Sequence, residues 1–160
     1  MPISAVGSSA SAAGERTGGF TLLELIVVIA IIALATAGVG LALRSASSAQ
    51  LEREADRLAA LLDSARAQSR ASGAPVRWRP IEGGFIFDGL PAKALPGTWL
   101  GEGISAQAFS ASGALLPALE LGPDPIVAAQ QVRLTLPGEP PQSLLLATDG
   151  LRPFTLVTGP

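Results

Sequence analysis

The 160-residue chain contains no cysteine, no histidine and no tyrosine. Without cysteine there is no disulfide to brace the fold and no thiolate to attack a substrate or hold a metal. Without histidine the commonest general base and the commonest metal ligand are both missing. Carboxylates or Ser-Lys pairs could still carry a reaction, but no G-x-S-x-G or Walker sequence occurs. Gly101-Glu102-Gly103 is a lone G-x-G with no helix after it, and loop flexibility accounts for it better than phosphate binding. Asp124, Glu139 and Asp149 stand beside Gly or Pro, where turn chemistry explains them. The expectation is a non-enzymatic protein with no metal and no cofactor.

Aromatic residues are also few, five Phe and two Trp. Trp78 and Trp99 are expected as core or half-buried loop anchors rather than as a ligand platform. Net charge is −2, and after residue 43 ten basic residues face eleven acidic ones, which offers no strong attraction to nucleic acid or anionic lipid. From Glu52 to Arg79 six Arg stand against four acids, whereas residues 80–160 hold three basic and seven acidic residues. That asymmetry could order copies side by side, basic helix against acidic sheet.

What the chain has in excess is one apolar run. Residues 20–43, FTLLELIVVIAIIALATAGVGLAL, carry a single charge, Glu24. A bilayer core of roughly 30 Å asks for about 20 such residues, so the run is long enough to span it. A carboxylate inside a span costs on the order of 2.5–3.5 kcal/mol on insertion scales, so Glu24 asks for a reason. Three identities are open. A secretory signal peptide would be shorter, although Ser45-Ala46-Ser47-Ser48-Ala49 could pass as its exit. A plain anchor explains the length and leaves Glu24 as a residue snorkelling at the interface. The third identity is carried by the residues themselves.

Gly18-Gly19-Phe20-Thr21-Leu22-Leu23-Glu24, followed at once by the apolar run, resembles the prepilin peptidase site of the type IV pilin and pseudopilin family. The resemblance implies a leader cut after Gly19, N-methylation of the new N-terminal residue Phe20, and a subunit-assembly role for Glu24. Arg16 matches the basic residue of such leaders, though this leader is longer than most. The implied chemistry answers the question about Glu24: its carboxylate neutralises the free α-ammonium of Phe20 on a neighbouring subunit. Paired, both charges are tolerable in an apolar filament core; unpaired, either is costly. A Pro is frequent in this part of the family's helix and is absent here, where Gly38 and Gly40 are the weak points.

From Gln50 onward the spacing predicts that the helix continues and turns amphipathic. Leu51, Ala55, Leu58, Leu62 and Ala65 form one stripe, with Leu61 beside it. Glu52, Arg53, Asp56, Arg57, Asp63, Arg66 and Arg70 are read as a solvated face. Gly73 and Pro75 end a helix expected to run over residues 20–72. Strands are expected at 76–79 and 85–87, joined by a turn over 81–84, then at 104–110, 131–136, 143–147 and 153–157. Residues 90–103 read as a loop and 114–121 as a leucine-bearing segment. No internal repeat is visible.

The helix end with the first hairpin, and the closing Asp149-Gly150-Leu151-Arg152-Pro153-Phe154, resemble the minor pseudopilin H type of type II secretion. Type IV pilus minor pilins of the FimT/FimU kind, with DNA binding as the alternative role, share the first of these. The resemblance implies an α+β pilin-like fold, a long N-terminal helix packed on a small antiparallel β-sheet domain. The implied division is a leader at 1–19, a transmembrane and filament-core helix at 20–43, an amphipathic helix at 44–74 and a β-rich domain at 75–160. Implied partners are major and minor pseudopilins, prepilin peptidase and the inner-membrane assembly platform, with nucleic acid not expected. The implied location is the bacterial inner membrane, single-pass, with the globular domain periplasmic.

Overall fold

The computed structural model describes residues 21–157, so the expected leader, Gly19 and Phe20 lie outside the described residues. The chain divides into two compact units, residues 1–40 and 41–160. One helix, α1 (Leu22–Ser72), continues from the first into the second. It is followed by β1 (Arg77–Ile81), β2 (Gly84–Asp88), β3 (Ser105–Ser110), β4 (Leu115–Leu116), β5 (Leu119–Glu120), β6 (Gln130–Leu136), β7 (Gln142–Thr148) and β8 (Thr155–Val157). A long N-terminal helix followed by a small antiparallel β domain is the α+β arrangement expected from the sequence.

The single helix is what the composition of residues 22–72 favours: Leu, Ala, Ile, Glu and Arg with no Pro. It stops because Gly73 takes a left-handed conformation, φ +68°, and donates its N–H to the Ser69 carbonyl at 2.9 Å. The hydroxyl of Ser69 then donates to the Ala74 carbonyl at 2.6 Å and turns the chain toward β1.

In the second unit the predicted stripe is the buried one. Leu51, Ala55, Leu58, Leu62 and Ala65 are each 1% exposed or less. They join Val76, Trp78, Phe85, Leu119, Leu134, Leu146 and other apolar residues in one core. A Leu truncated to Ala in such a core costs roughly 2–5 kcal/mol. Trp78 is fully buried against Phe85, with ring centroids 6.0 Å apart, and Trp99 is half-buried, 4.6 Å from Phe85. Both tryptophans are therefore anchors, as expected.

The second unit departs from the expectation in three ways. It forms two antiparallel sheets, not one: β2-β1-β5 and β4-β3-β6-β7-β8. Pro117 and Ala118 separate β4 from β5, and a residue without an N–H is where the chain can leave one ladder and enter the other. The first hairpin is tighter than predicted, since Ile81 pairs with Gly84 around a two-residue turn, Glu82-Gly83. Strand β1 also runs through Pro80, which is tolerated because β5 covers only Arg77 and Trp78, leaving β1 an edge strand at that point.

The third departure concerns charge. Arg66, expected on the solvated face, is 2% exposed, and Glu54 is 1% exposed. Both fall on the apolar stripe, Glu54 three residues after Leu51 and Arg66 four after Leu62. A charged residue on that stripe is buried by the helix's own period, and it survives there only with partners.

Candidate functional site

The sequence-predicted site is the start of α1. Thr21 caps the helix: its hydroxyl oxygen accepts from the Glu24 backbone N–H at 3.2 Å, and its carbonyl accepts from Leu25 N–H at 3.2 Å. Thr21-x-x-Glu24 is the spacing of a capping box, a signal legible in the sequence that assigns Thr21 a role. Glu24 lies in the first turn, where the helix's exposed N–H groups favour a negative charge. A carboxylate thus stands in the first turn, at the entrance of the apolar helix.

Among the described residues of this unit nothing covers the apolar side chains. Leu22 is 77% exposed, and Ile26, Ile29, Ile31, Ile32 and Leu34 are all more than half exposed. The most apolar 18-residue window has a mean hydropathy of 2.8, is not buried at all, and is long and apolar enough to cross a membrane. Thr36 fits such surroundings because its hydroxyl is satisfied internally, donating to the carbonyls of Ile32 and Ala33, each at 2.9 Å. A capped helix end with one carboxylate, leading an uncovered apolar surface, is built to be buried in something other than its own domain.

The family described as Prokaryotic N-terminal methylation motif matches residues 16–40, which include Gly19, Phe20 and Glu24. This chain carries a type IV pilin-like N-terminal signal. Such a signal supports the pilin and pseudopilin family, marks a structural subunit, and implies processing by prepilin peptidase and assembly with other pilins. The signal and the one apolar helix among the described residues suit a single-pass inner-membrane anchor. No curated protein and no solved structure matches the chain.

The second unit holds two polar clamps that sequence reasoning missed. In the first, the buried Glu54 carboxylate accepts from Arg57 Nη1 at 2.6 Å and from the Leu100 backbone N–H at 2.8 Å, while Arg57 also donates to the Thr98 carbonyl at 3.0 Å. The 98–100 segment is thereby fastened to α1. In the second, Arg66 donates to the carbonyls of Gly150 and Arg152 at 2.7 and 3.0 Å. Burial pulls its guanidinium below the ordinary arginine range. Nearby, burial pushes the Asp63 carboxyl up, partly offset by the Phe154 backbone N–H and the charges of Arg66 and Arg70.

Asp149 shapes the turn that Arg66 grips. Its carboxylate accepts the backbone N–H groups of Leu151 and Arg152 at 2.9 and 2.8 Å and pairs with Arg152 Nε at 2.7 Å. These bonds, the Arg152 backbone first, hold its carboxyl well below the usual carboxylate range. The helix end and the closing segment are therefore in direct contact.

The arginine-rich stretch is largely engaged within the domain. Of its six arginines, Arg57 pairs with Glu54, Arg66 holds carbonyls, Arg77 pairs with Glu120 at 3.4 Å and Arg79 with Asp88 at 2.7 Å. Within this stretch the exposed helix charges are Glu52, Arg53, Asp56 and Arg70, which cancel. The basic-helix surface suggested by composition is not present as such, and a phosphate backbone would find little there.

Proposed function

We propose that the chain is a minor pseudopilin, a structural subunit of a type II secretion pseudopilus that drives protein export across the outer membrane. The observation that carries the reading is the pilin-type signal of residues 16–40 running into a capped, uncovered apolar helix. In this reading prepilin peptidase cuts between Gly19 and Phe20 and methylates Phe20, removing the leader 1–19. Residues 20–43 rest in the inner membrane and pass into the filament core on assembly, while 44–74 and the β domain 75–160 stay periplasmic.

Glu24 gives the helix its second environment. In lipid it sits one turn from the end, within reach of the interface. In a filament it meets the α-ammonium of a neighbouring Phe20, and the pair removes the cost that either charge alone would carry. The other subunits, major and minor pseudopilins, supply the remaining apolar cover, and the inner-membrane assembly platform drives the transfer. No cofactor enters.

The secretion subtype is preferred over a DNA-binding type IV pilus minor pilin because the exposed charges of this part of the helix, Glu52, Arg53, Asp56 and Arg70, cancel and leave no basic face. Mass spectrometry of the membrane-extracted protein tests the reading. The expected species begins at a methylated Phe20; an intact N-terminus, or a cut at another bond, rejects it.

A further inference from the structure

Two turns of the second unit meet at the end where α1 enters it. The Gln50 side chain lies directly over Gly101, where it leaves no room for a Cβ. At Gly103 a Cβ would meet the Pro137 ring at 3.5 Å, so the 100–103 turn abuts the β6–β7 turn. The Ser48 hydroxyl donates at 3.2 Å to the side chain of Gln142, the first residue of β7. Thr148, the last residue of β7, donates to the Arg152 carbonyl that Arg66 also holds. Strand β7 therefore runs alongside α1 from the level of Ser48 to the level of Arg66, about 27 Å of helix rise. Residues 137–141 precede β7 across the Leu136–Gln142 pair, so they project past Ser48 toward the point of entry.

The two turns form an uncovered ledge. Leu100 is 72% exposed, more than any other large apolar side chain described in this unit, although its backbone N–H is fastened to Glu54. Residues 137–141, Pro-Gly-Glu-Pro-Pro, are all exposed as well. Apolar surface held out on a fastened turn, rather than on a loose one, is prepared for a partner.

Chain length indicates what lies opposite. When the apolar span ends at Leu43, Ser48 follows five residues later. Five residues of chain reach at most about 18 Å at any angle, and in helical form they rise about 7.5 Å. The headgroup layer on each side of the hydrocarbon core is about 5–7 Å thick. The ledge therefore stands within reach of that layer. Its exposed charges among the described residues are Glu52, Glu102 and Glu139 against Arg53. An acidic excess gains nothing from anionic lipid, whereas the ammonium groups of a zwitterionic surface can pair with it.

We propose that the ledge of residues 100–103 and 137–141 rests on the zwitterionic headgroup layer of the bilayer that holds the span, with Leu100 entering that layer. The inference rests on the reading of residues 20–43 as a membrane segment and adds to it a second lipid contact, made by the globular part. The ledge then limits how deep the span sinks, and it is the contact released when the helix leaves lipid.

The absence of native cysteine allows one probe per variant. Full-length chain carrying Leu100→Cys, Gly138→Cys or Leu151→Cys is labelled with an environment-sensitive fluorophore. Each is reconstituted into phosphatidylcholine vesicles containing a lipid with a nitroxide on its headgroup. Leu151, 63% exposed in the closing turn, is the control away from the ledge. Gly138 provides a second ledge position should the Leu100 variant disturb its loop. Probes at 100 and 138 are expected to be quenched at least about threefold more than the probe at 151. Replacing part of the phosphatidylcholine with phosphatidylglycerol is expected to reduce that quenching, and Glu102→Gln with Glu139→Gln to abolish the reduction.

Quenching at both ledge positions no greater than at 151 would overturn the proposal. So would quenching that rises with phosphatidylglycerol, which marks a basic contact. Flotation of the same vesicles after an alkaline wash reports whether the chain is inserted. An inserted chain with silent ledge probes removes the ledge contact and leaves the membrane reading standing, whereas a chain that washes off removes both.

Discussion

The guanidinium of Arg66 donates from Nη2 to the carbonyl oxygen of Gly150 at 2.7 Å, with both residues buried. This bond, and its companion to Arg152 O, fastens the last turn of the chain to the end of the long helix. It converts a buried charge from a liability into a link between two segments that are 84 residues apart. The Thr148 hydroxyl reinforces the turn, donating to Arg152 O at 2.6 Å and accepting from Gly150 N–H at 3.0 Å.

Removing the link should be costly. Arg66→Ala takes the charged donor from the carbonyls of Gly150 and Arg152, which keep only Val127 N–H at 3.4 Å and the Thr148 hydroxyl at 2.6 Å, and hydrogen bonds to charged groups are worth about 1.5–3 kcal/mol. Arg66→Met, which restores the bulk but not the donors, should recover only part of this. Urea denaturation of the full-length protein in detergent, followed by tryptophan fluorescence, measures the order: wild type, then Met, then Ala.

Gly150 is required for a separate reason. Its φ of +92° is strained for any residue with a Cβ, and the space that a Cβ would fill is occupied by the Val127 carbonyl. Gly150→Ala should therefore cost at least about 1–3 kcal/mol from backbone strain alone. The expected readout in the same titration is a lower midpoint with an unchanged slope.

The Asp149 turn predicts a pH dependence. A carboxyl depressed in the folded state contributes stability that is complete above the usual carboxylate range, near 3.9, and is lost as pH falls through it. Asp63 is shifted the other way, so its contribution falls as pH rises through and above that range. Asp149→Asn should remove the acid-sensitive part. Melting curves between pH 6 and about 3 should show wild type losing more on acidification than the variant. A steeper loss in Asp149→Asn would contradict the assignment.

Glu54 should control the 98–100 segment without controlling the core. Glu54→Gln keeps an acceptor for Leu100 N–H but removes the charged partner of Arg57, so the clamp weakens while the apolar stripe remains. Limited proteolysis should cut residues 90–103 at least several times faster in the variant, with the helix protected as before. Equal cleavage rates would show that Trp99 packing against Phe85 holds the loop unaided.

At the other end of the chain, under the processing proposed above, Glu24→Gln should leave the Gly19–Phe20 cut unaffected, because the Thr21 cap remains. Incorporation into filaments should fall at least tenfold, since the Phe20 ammonium loses its counter-charge. The check is the ratio of processed protein in sheared filaments to that in membranes. Undiminished incorporation would remove Glu24 from the assembly role.

The sequence alone was enough to recognise the apolar helix, its signal and the stripe Leu51, Ala55, Leu58, Leu62 and Ala65, because these depend on local order: a motif read residue by residue and a period of 3.6. Tertiary structure decided what local order does not specify. It supplied the distant partners of the buried Glu54 and Arg66, Leu100 N–H and the carbonyls of Gly150 and Arg152, which are backbone groups that every sequence has. It split the β region into two sheets at Pro117, and it brought Leu116, Ala118 and Ala129 to one groove. Periodicity says which side of an element is buried; only the folded chain says against what.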